Sequence, residues 1–224
     1  MKTDAVIFDI DGTLTDSTRP IITSWNRHLA SLGCSYHPLD EKLAGSLMGK
    51  TMDDWAMAVL PDLPIEEARE IAEVMEQKEN EEIRSNGTDL YPFVKETFEL
   101  LSKEYELFIL SNCGKGYIEA VMAHAGIEQY VKGHLCFGDN GLDKPDNLKK
   151  MIHDYQLKHP VYVGDTDRDR ECCEIAGVPF IFVSWGFGDV PDAEYRCDSL
   201  KDLADLIPRV KSNCLYSQTV FLIL

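Results

Sequence analysis

The chain has 224 residues, 44% hydrophobic and 27% charged, with 39 acidic against 22 basic side chains and a formal net charge of −17. That is apolar material enough for a buried core, so disorder is excluded as the default. The acidity excludes general nucleic-acid or anionic-membrane binding, and an acidic protein that handles an anionic substrate needs local positive charge, for which a divalent cation is one source.

The chain opens MKTDAVIFDIDG, and the stretch after Lys2 is too short and too acidic for a signal peptide. Ala5-Val6-Ile7-Phe8 reads instead as a short strand buried on both faces. The interval from about 16 to 88 shows no strand pattern. Ile21, Ile22, Trp25, Leu29 and Leu32 fall on one helical face, with Asp16 and Ser17 as N-cap candidates and Gly33 as the terminator. Residues 64–84 form a second helix, in which Pro64, Glu66 and Glu67 suit the N-terminus. Ser85-Asn86-Gly87 breaks it.

Beyond Tyr91-Pro92 the β-rich runs return: Leu107–Leu110, a weaker His134–Phe137, Val161–Val163 and Phe180–Val183. Helical patterns lie between them at 92–104, 115–126, 145–156 and 168–176. Strands alternating with helices of that length predict βαβ units and an α/β fold with a Rossmann-like parallel sheet core. The expected organisation is a core of residues 1–15 and 89–210, an inserted all-helical cap domain at 16–88, and a tail at 211–224. The apolar end of that tail, Val220–Leu224, reads as a last strand or docking segment, with self-association the alternative. No run approaches the roughly 18 apolar residues of a membrane span. Seven cysteines without a C-x-x-C pair suit a reducing cytosol, so a cytoplasmic protein is expected, as a monomer or weak homodimer.

The chemistry-bearing residues follow strands. Asp9-Ile10-Asp11-Gly12-Thr13 comes after the first, Ser111-Asn112 after Leu107–Leu110, and Gly164-Asp165-Thr166-Asp167-Arg168-Asp169 after Val161–Val163. Ligands of open parallel sheets bind outside the carboxyl ends of the strands. Asp9, Asp11 and Asp165 would thus converge, and carboxylates that close disfavour ionisation unless a cation intervenes. Hard oxygen donors select Mg²⁺, which takes one or two carboxylates together with substrate phosphate. Lys144 adds fixed positive charge, and Ser111 and Asn112 can donate to phosphate oxygens.

In order, the segments D-I-D-G-T-L, L-S-N, D-K-P and G-D-T-D-R-D resemble the four motifs of the haloacid dehalogenase superfamily, over roughly residues 3–207. The run AGVPFIFVSWGFG resembles its phosphoglycolate phosphatase-like branch, whose cap corresponds to the helical insert. The resemblance implies a Mg²⁺-dependent phosphatase acting on a small phosphorylated metabolite. It makes Asp9 the nucleophile of an aspartyl-phosphate intermediate and Asp11 the acid and base, with the Asp11 backbone carbonyl on the metal. It places Ser111 and Asn112 on the phosphoryl oxygens, Lys144 between Asp9 and phosphate, Asp165 in the metal site and Asp169 behind it. Dehalogenating relatives lack a carboxylate at the position of Asp11, because halide leaves without a proton. A sugar-phosphate mutase is the first alternative, and a non-enzymatic phospho-acceptor module the second.

The segment Gly45–Thr51 has its glycines one residue too close for a nucleotide-binding loop and has no preceding strand. Lys50 and Thr51 are instead candidate specificity residues of the cap, set against a plain interhelical turn. Asp16 and Asp167 read as capping or solvated acids. Cys113 reads as packed and inert, the neighbours Cys172 and Cys173 point apart on a helix, and the six histidines show no ligand spacing.

Overall fold

A computed structural model describes residues 2–211. The tail reading, including Val220–Leu224, lies outside the described residues. Six parallel strands form one sheet in the order β5-β4-β1-β6-β7-β8. They are β1 (Ala5–Phe8), β4 (Glu106–Ser111), β5 (Val131–Cys136), β6 (Pro160–Gly164), β7 (Phe180–Val183) and β8 (Tyr195–Cys197). The short antiparallel pair β2 (Thr15–Asp16) and β3 (Asp89–Leu90) joins the two ends of the helical insertion.

The pleat sorts the side chains. Val6 and Phe8 pack on one face with Leu107, Ile109, Val161 and Val163. There they meet α5 (Val94–Leu101) and α6 (Tyr117–Ala125). Ala5 and Ile7 face the other way with Phe108, Leu110 and Tyr162, against α8 (Lys144–Asp154) and α9 (Asp167–Ala176). Both faces are covered, which is why these strands read as continuous apolar runs.

The insertion holds α1 (Thr18–Leu29), α2 (Glu41–Leu47), α3 (Met52–Val59) and α4 (Ile65–Asn86) around a core of its own, centred on Trp25 and Trp55 with ring centroids 5.4 Å apart. The helices α2 and α3 were not foreseen from the sequence. Neither was β8, a three-residue edge strand, and the weaker 134–137 run extends back to Val131 while Phe137 starts the single turn α7 (Phe137–Asn140). Helix α1 stops at Leu29 rather than Gly33, which leaves Leu32 42% exposed and off the apolar face. No helix among the described residues is long and apolar enough to cross a membrane.

β1, β4 and β6 are immediate neighbours at the centre of the sheet. Their carboxyl ends deliver Asp9, Ser111 and Asp165 to one place, and the helical insertion leaves the chain directly after β1 and lies over it.

Candidate active site

After β1 the chain turns sharply. The carbonyl of Ile10 accepts from the amides of Thr13, Leu14 and Thr15, and the amide of Gly12 donates to the Thr15 carbonyl. Gly12 has φ +82°, and a Cβ there would collide with the Asp165 carboxylate. The turn therefore requires glycine on both counts.

Asp9, Asp165 and Asp169 each offer a carboxylate oxygen within 4.8 Å of the others, and all three are buried. The Lys144 ammonium donates to Asp169 at 2.6 Å and lies 2.9 Å from Asp9. Asp165 accepts from the Phe187 amide at 2.7 Å and from the Thr13 hydroxyl at 3.4 Å. Burial raises the pKa of Asp9 well above its ordinary range, against the pull of Lys144. Burial and then the charge of Asp169 push Asp165 up to about 7. Burial disfavours charge on Lys144 too, but Asp169 and Asp9 outweigh it and leave its pKa raised. A cluster of hard oxygens with one ammonium shared by two of three acids has an unmet demand for positive charge. Its donor set fits a hard divalent metal ion.

Asp11 stands apart from that cluster. Its carboxylate accepts from the Ser17 hydroxyl at 2.5 Å and the Tyr117 hydroxyl at 2.6 Å, and burial raises its pKa while those two donors lower it. The metal-capable carboxylates are thus Asp9, Asp165 and Asp169, and the Asp11 side chain is not among them. Ser17 sits at the N-cap of α1 but spends its hydroxyl on Asp11, while Asp16 accepts from the Thr18 amide. Asp169 is not related to Asp165 by a helical turn. Asp165 precedes the helix, Thr166 is the N-cap, and Asp169 closes a capping box with it.

A cavity of about 320 Å³ lies between the insertion and the strand ends, lined by Asp9, Asp11, Ser111 and Lys144 from below. Ser111 is buried. Asn112 lines the cavity, and its side-chain amide donates one hydrogen bond to the Gly49 carbonyl at 3.0 Å, which ties the insertion to the sheet domain. Arg168, overlooked in the sequence, donates to the same carbonyl at 3.1 Å. Thr51 lines the cavity but closes a capping box with Asp54, whereas Lys50 reaches it with no such engagement. Cys113 also lines the cavity, and burial raises its thiol pKa, which keeps it an inert thiol.

Glu76, Glu79 and Asn80 of α4, none of them among the residues expected from the sequence, form part of the cavity wall. The Glu79 carboxylate accepts from the Trp25 indole at 2.7 Å, and burial pushes its pKa up to about 8. A signal was present: Glu79 lies four residues after Met75 and four before Ile83, on the buried stripe of a helix most of whose other acids are exposed. A folded pKa above the ordinary 4.5 means that the native state holds the proton longer than the unfolded one. Stability is therefore undiminished below pH 4.5 and falls as pH rises toward 8. Glu79→Gln keeps an acceptor for Trp25 and removes that penalty. It should raise the melting temperature at pH 8, by on the order of 1–4 kcal/mol in stability, and do little at pH 4.5. Thermal melts of both proteins at the two pH values check this, and an equal shift at both would contradict it.

The sequence profile of the haloacid dehalogenase-like hydrolases matches residues 6–183. Over 215 residues the chain is 28% identical to a phosphoglycolate phosphatase of Synechococcus elongatus, covering 92% of this chain and 96% of that protein. It is 27% identical over 189 residues to a tyrosine-protein kinase of Mycobacterium bovis, covering 82% of this chain and 62% of that one. Its fold is similar to that of a haloacid dehalogenase-like family hydrolase from Streptococcus pneumoniae, with TM-score 0.75 and 23% identity over 91% of this chain and 97% of that chain.

Proposed function

The chain belongs to the haloacid dehalogenase-like hydrolases, and we propose that within that family it is a magnesium-dependent phosphatase that hydrolyses small phosphomonoesters through an aspartyl-phosphate on Asp9. The observation that carries this is the contrast between two aspartates one residue apart. Asp9 lies in the cationic grip of Lys144 beside Asp165, whereas Asp11 is withdrawn to two hydroxyl donors. Environments that separate two carboxyls in this way assign them different tasks, a nucleophile and a proton carrier. The phosphatase names carried by relatives such as the Synechococcus protein support the same reaction class.

In the proposed sequence a carboxylate oxygen of Asp9 attacks phosphorus, and the bond from phosphorus to the alcohol oxygen breaks. Asp11 gives that oxygen its proton. Asp11 then takes a proton from water as the water attacks the aspartyl-phosphate, which releases inorganic phosphate and restores the Asp9 carboxylate. Ser111 donates to a phosphoryl oxygen, and Lys144 neutralises charge on Asp9 and on the phosphoryl group. Asp9, Asp165 and the backbone carbonyl of Asp11 would hold the metal ion, with Asp169 fixing Lys144 behind them. Magnesium, when bound, supplies positive charge to the phosphoryl oxygens and the attacking carboxylate.

Residues 16–88 act as a cap domain over a core of 1–15 and 89–210, and the Gly49 carbonyl, held by Asn112 and Arg168, latches the two. Such a latch excludes bulk water from the intermediate. A mutase would send the same aspartyl-phosphate to a sugar hydroxyl instead of water, and a phospho-acceptor module would keep it. The test is release of inorganic phosphate from p-nitrophenyl phosphate. Release should need Mg²⁺, stop with a chelator and return when the metal is restored. Isomerised sugar phosphate without free phosphate would favour the mutase, and a stable phosphoprotein without turnover the acceptor module.

A further inference from the structure

The cap wall of the cavity is rich in acceptors and short of donors. Asn80 is 5% exposed; its amide nitrogen donates to the Lys115 carbonyl at 3.0 Å, and its Oδ1 is buried with no partner. Oε1 of Glu76 is likewise buried without a partner, lying where a Cβ on Gly114 would stand. Glu79 spends one oxygen on Trp25. Trp25 and Trp55 complete this wall with Ile21, Met48 and Met52. Buried acceptors left without donors cost free energy that a bound donor recovers, and an aromatic pair favours a cation.

Around the whole cavity carboxyl groups outnumber cations seven to three. Of the cations, Lys144 is committed to Asp9 and Asp169, and Arg168 to the Gly49 carbonyl. Lys50 comes from the loop between α2 and α3 rather than from α4. The carboxylate of a phosphoglycolate-like substrate would meet the acceptor oxygens of Glu76, Glu79 and Asn80 on a wall to which α4 contributes no cation. An ammonium would meet three acceptors and two indoles, and the raised pKa of Glu76, about 7 through burial and then Glu73, reports how poorly the empty wall tolerates its own negative charge.

Resting on the phosphatase reading above, we propose that Glu76, Glu79 and Asn80 form a leaving-group subsite for an amine, so that the preferred substrates are phosphomonoesters of amino alcohols. Nothing in the subsite takes part in bond breaking. It selects the alcohol through hydrogen bonds from its ammonium group, and hydrolysis yields that amino alcohol and inorganic phosphate.

The experiment compares 3-aminopropyl phosphate, propyl phosphate and 2-phosphoglycolate as substrates. The aminopropyl ester should exceed the propyl ester in kcat/KM by about tenfold or more, with 2-phosphoglycolate the poorest of the three. Glu76→Gln should bring the aminopropyl-to-propyl ratio toward one. Glu76→Lys should turn the preference toward 2-phosphoglycolate, and thermal melts verify that both variants fold. Binding is read separately from turnover. The non-hydrolysable 3-aminopropylphosphonate should quench tryptophan fluorescence at lower concentration than propylphosphonate. Equal handling of the two esters, equal binding of the two phosphonates, or ratios that neither variant moves would overturn the subsite. Failure to hydrolyse any ester, with the phosphonate preference intact, would overturn the phosphatase reading and leave the subsite standing.

Discussion

Asp9→Asn should remove phosphatase activity, lowering kcat by at least about 10³-fold while leaving the protein folded. The amide is close in shape to the carboxylate, so the end of β1 and its packing among Val6, Phe8 and Val163 have no reason to move. Its oxygen can still accept from Lys144. It lacks the negative charge and nucleophilicity needed to attack phosphorus, and neither Asp11 nor Asp165 can replace it. Asp11 is engaged with Ser17 and Tyr117, and Asp165 with the Phe187 amide. Steady-state assay of purified variant against wild type, beside a thermal melt, measures both halves of the expectation. Activity retained within tenfold would remove Asp9 from the nucleophile's role.

The second large effect belongs to Lys144, which is 7% exposed and serves Asp9 and Asp169 at once. Lys144→Met fills similar volume but leaves two buried carboxylates without their cation. Breaking a buried pair from one side typically costs about 3–5 kcal/mol. The variant should unfold at visibly lower denaturant and also lose catalysis, since charge on the transferring group would go uncompensated. Adding Asp169→Asn to the same protein should recover part of the stability but none of the activity, because only the structural half of the deficit is relieved. Chemical denaturation of the single and double variants checks this. A single variant as stable as wild type would show that the ion pair contributes nothing net to the fold.

What could be seen in the sequence follows from how each part is held. The central strands lie between two helical layers, so Ala5–Phe8 and Phe180–Val183 appear as unbroken apolar runs with boundaries as expected. Asp9, Ser111 and Asp165 are legible because strand ends in a parallel sheet share one edge. β8 is hidden because an edge strand of three residues, one of them the exposed Arg196, carries almost no pattern. The helices α2 and α3 are short and owe their starts to Asp40 and Thr51 caps rather than to periodicity. The contact of Asn112 with the Gly49 carbonyl could not be read from the sequence, because its partner is a backbone atom 63 positions away. Glu76 and Glu79 sit in a stretch so acidic that it reads as a solvated face. Their burial depends on the approach of Gly114 and Trp25, which no local pattern encodes.

The account rests on Asp9 becoming covalently phosphorylated during turnover. Acid quenching of the Mg²⁺-loaded wild-type protein with substrate, followed by peptide mass spectrometry, tests this most directly. The peptide containing Asp9 should carry one added HPO₃ group, absent from the Asp9→Asn protein. Phosphate released at full rate with no label on that peptide, or with the label on another residue, would contradict the account.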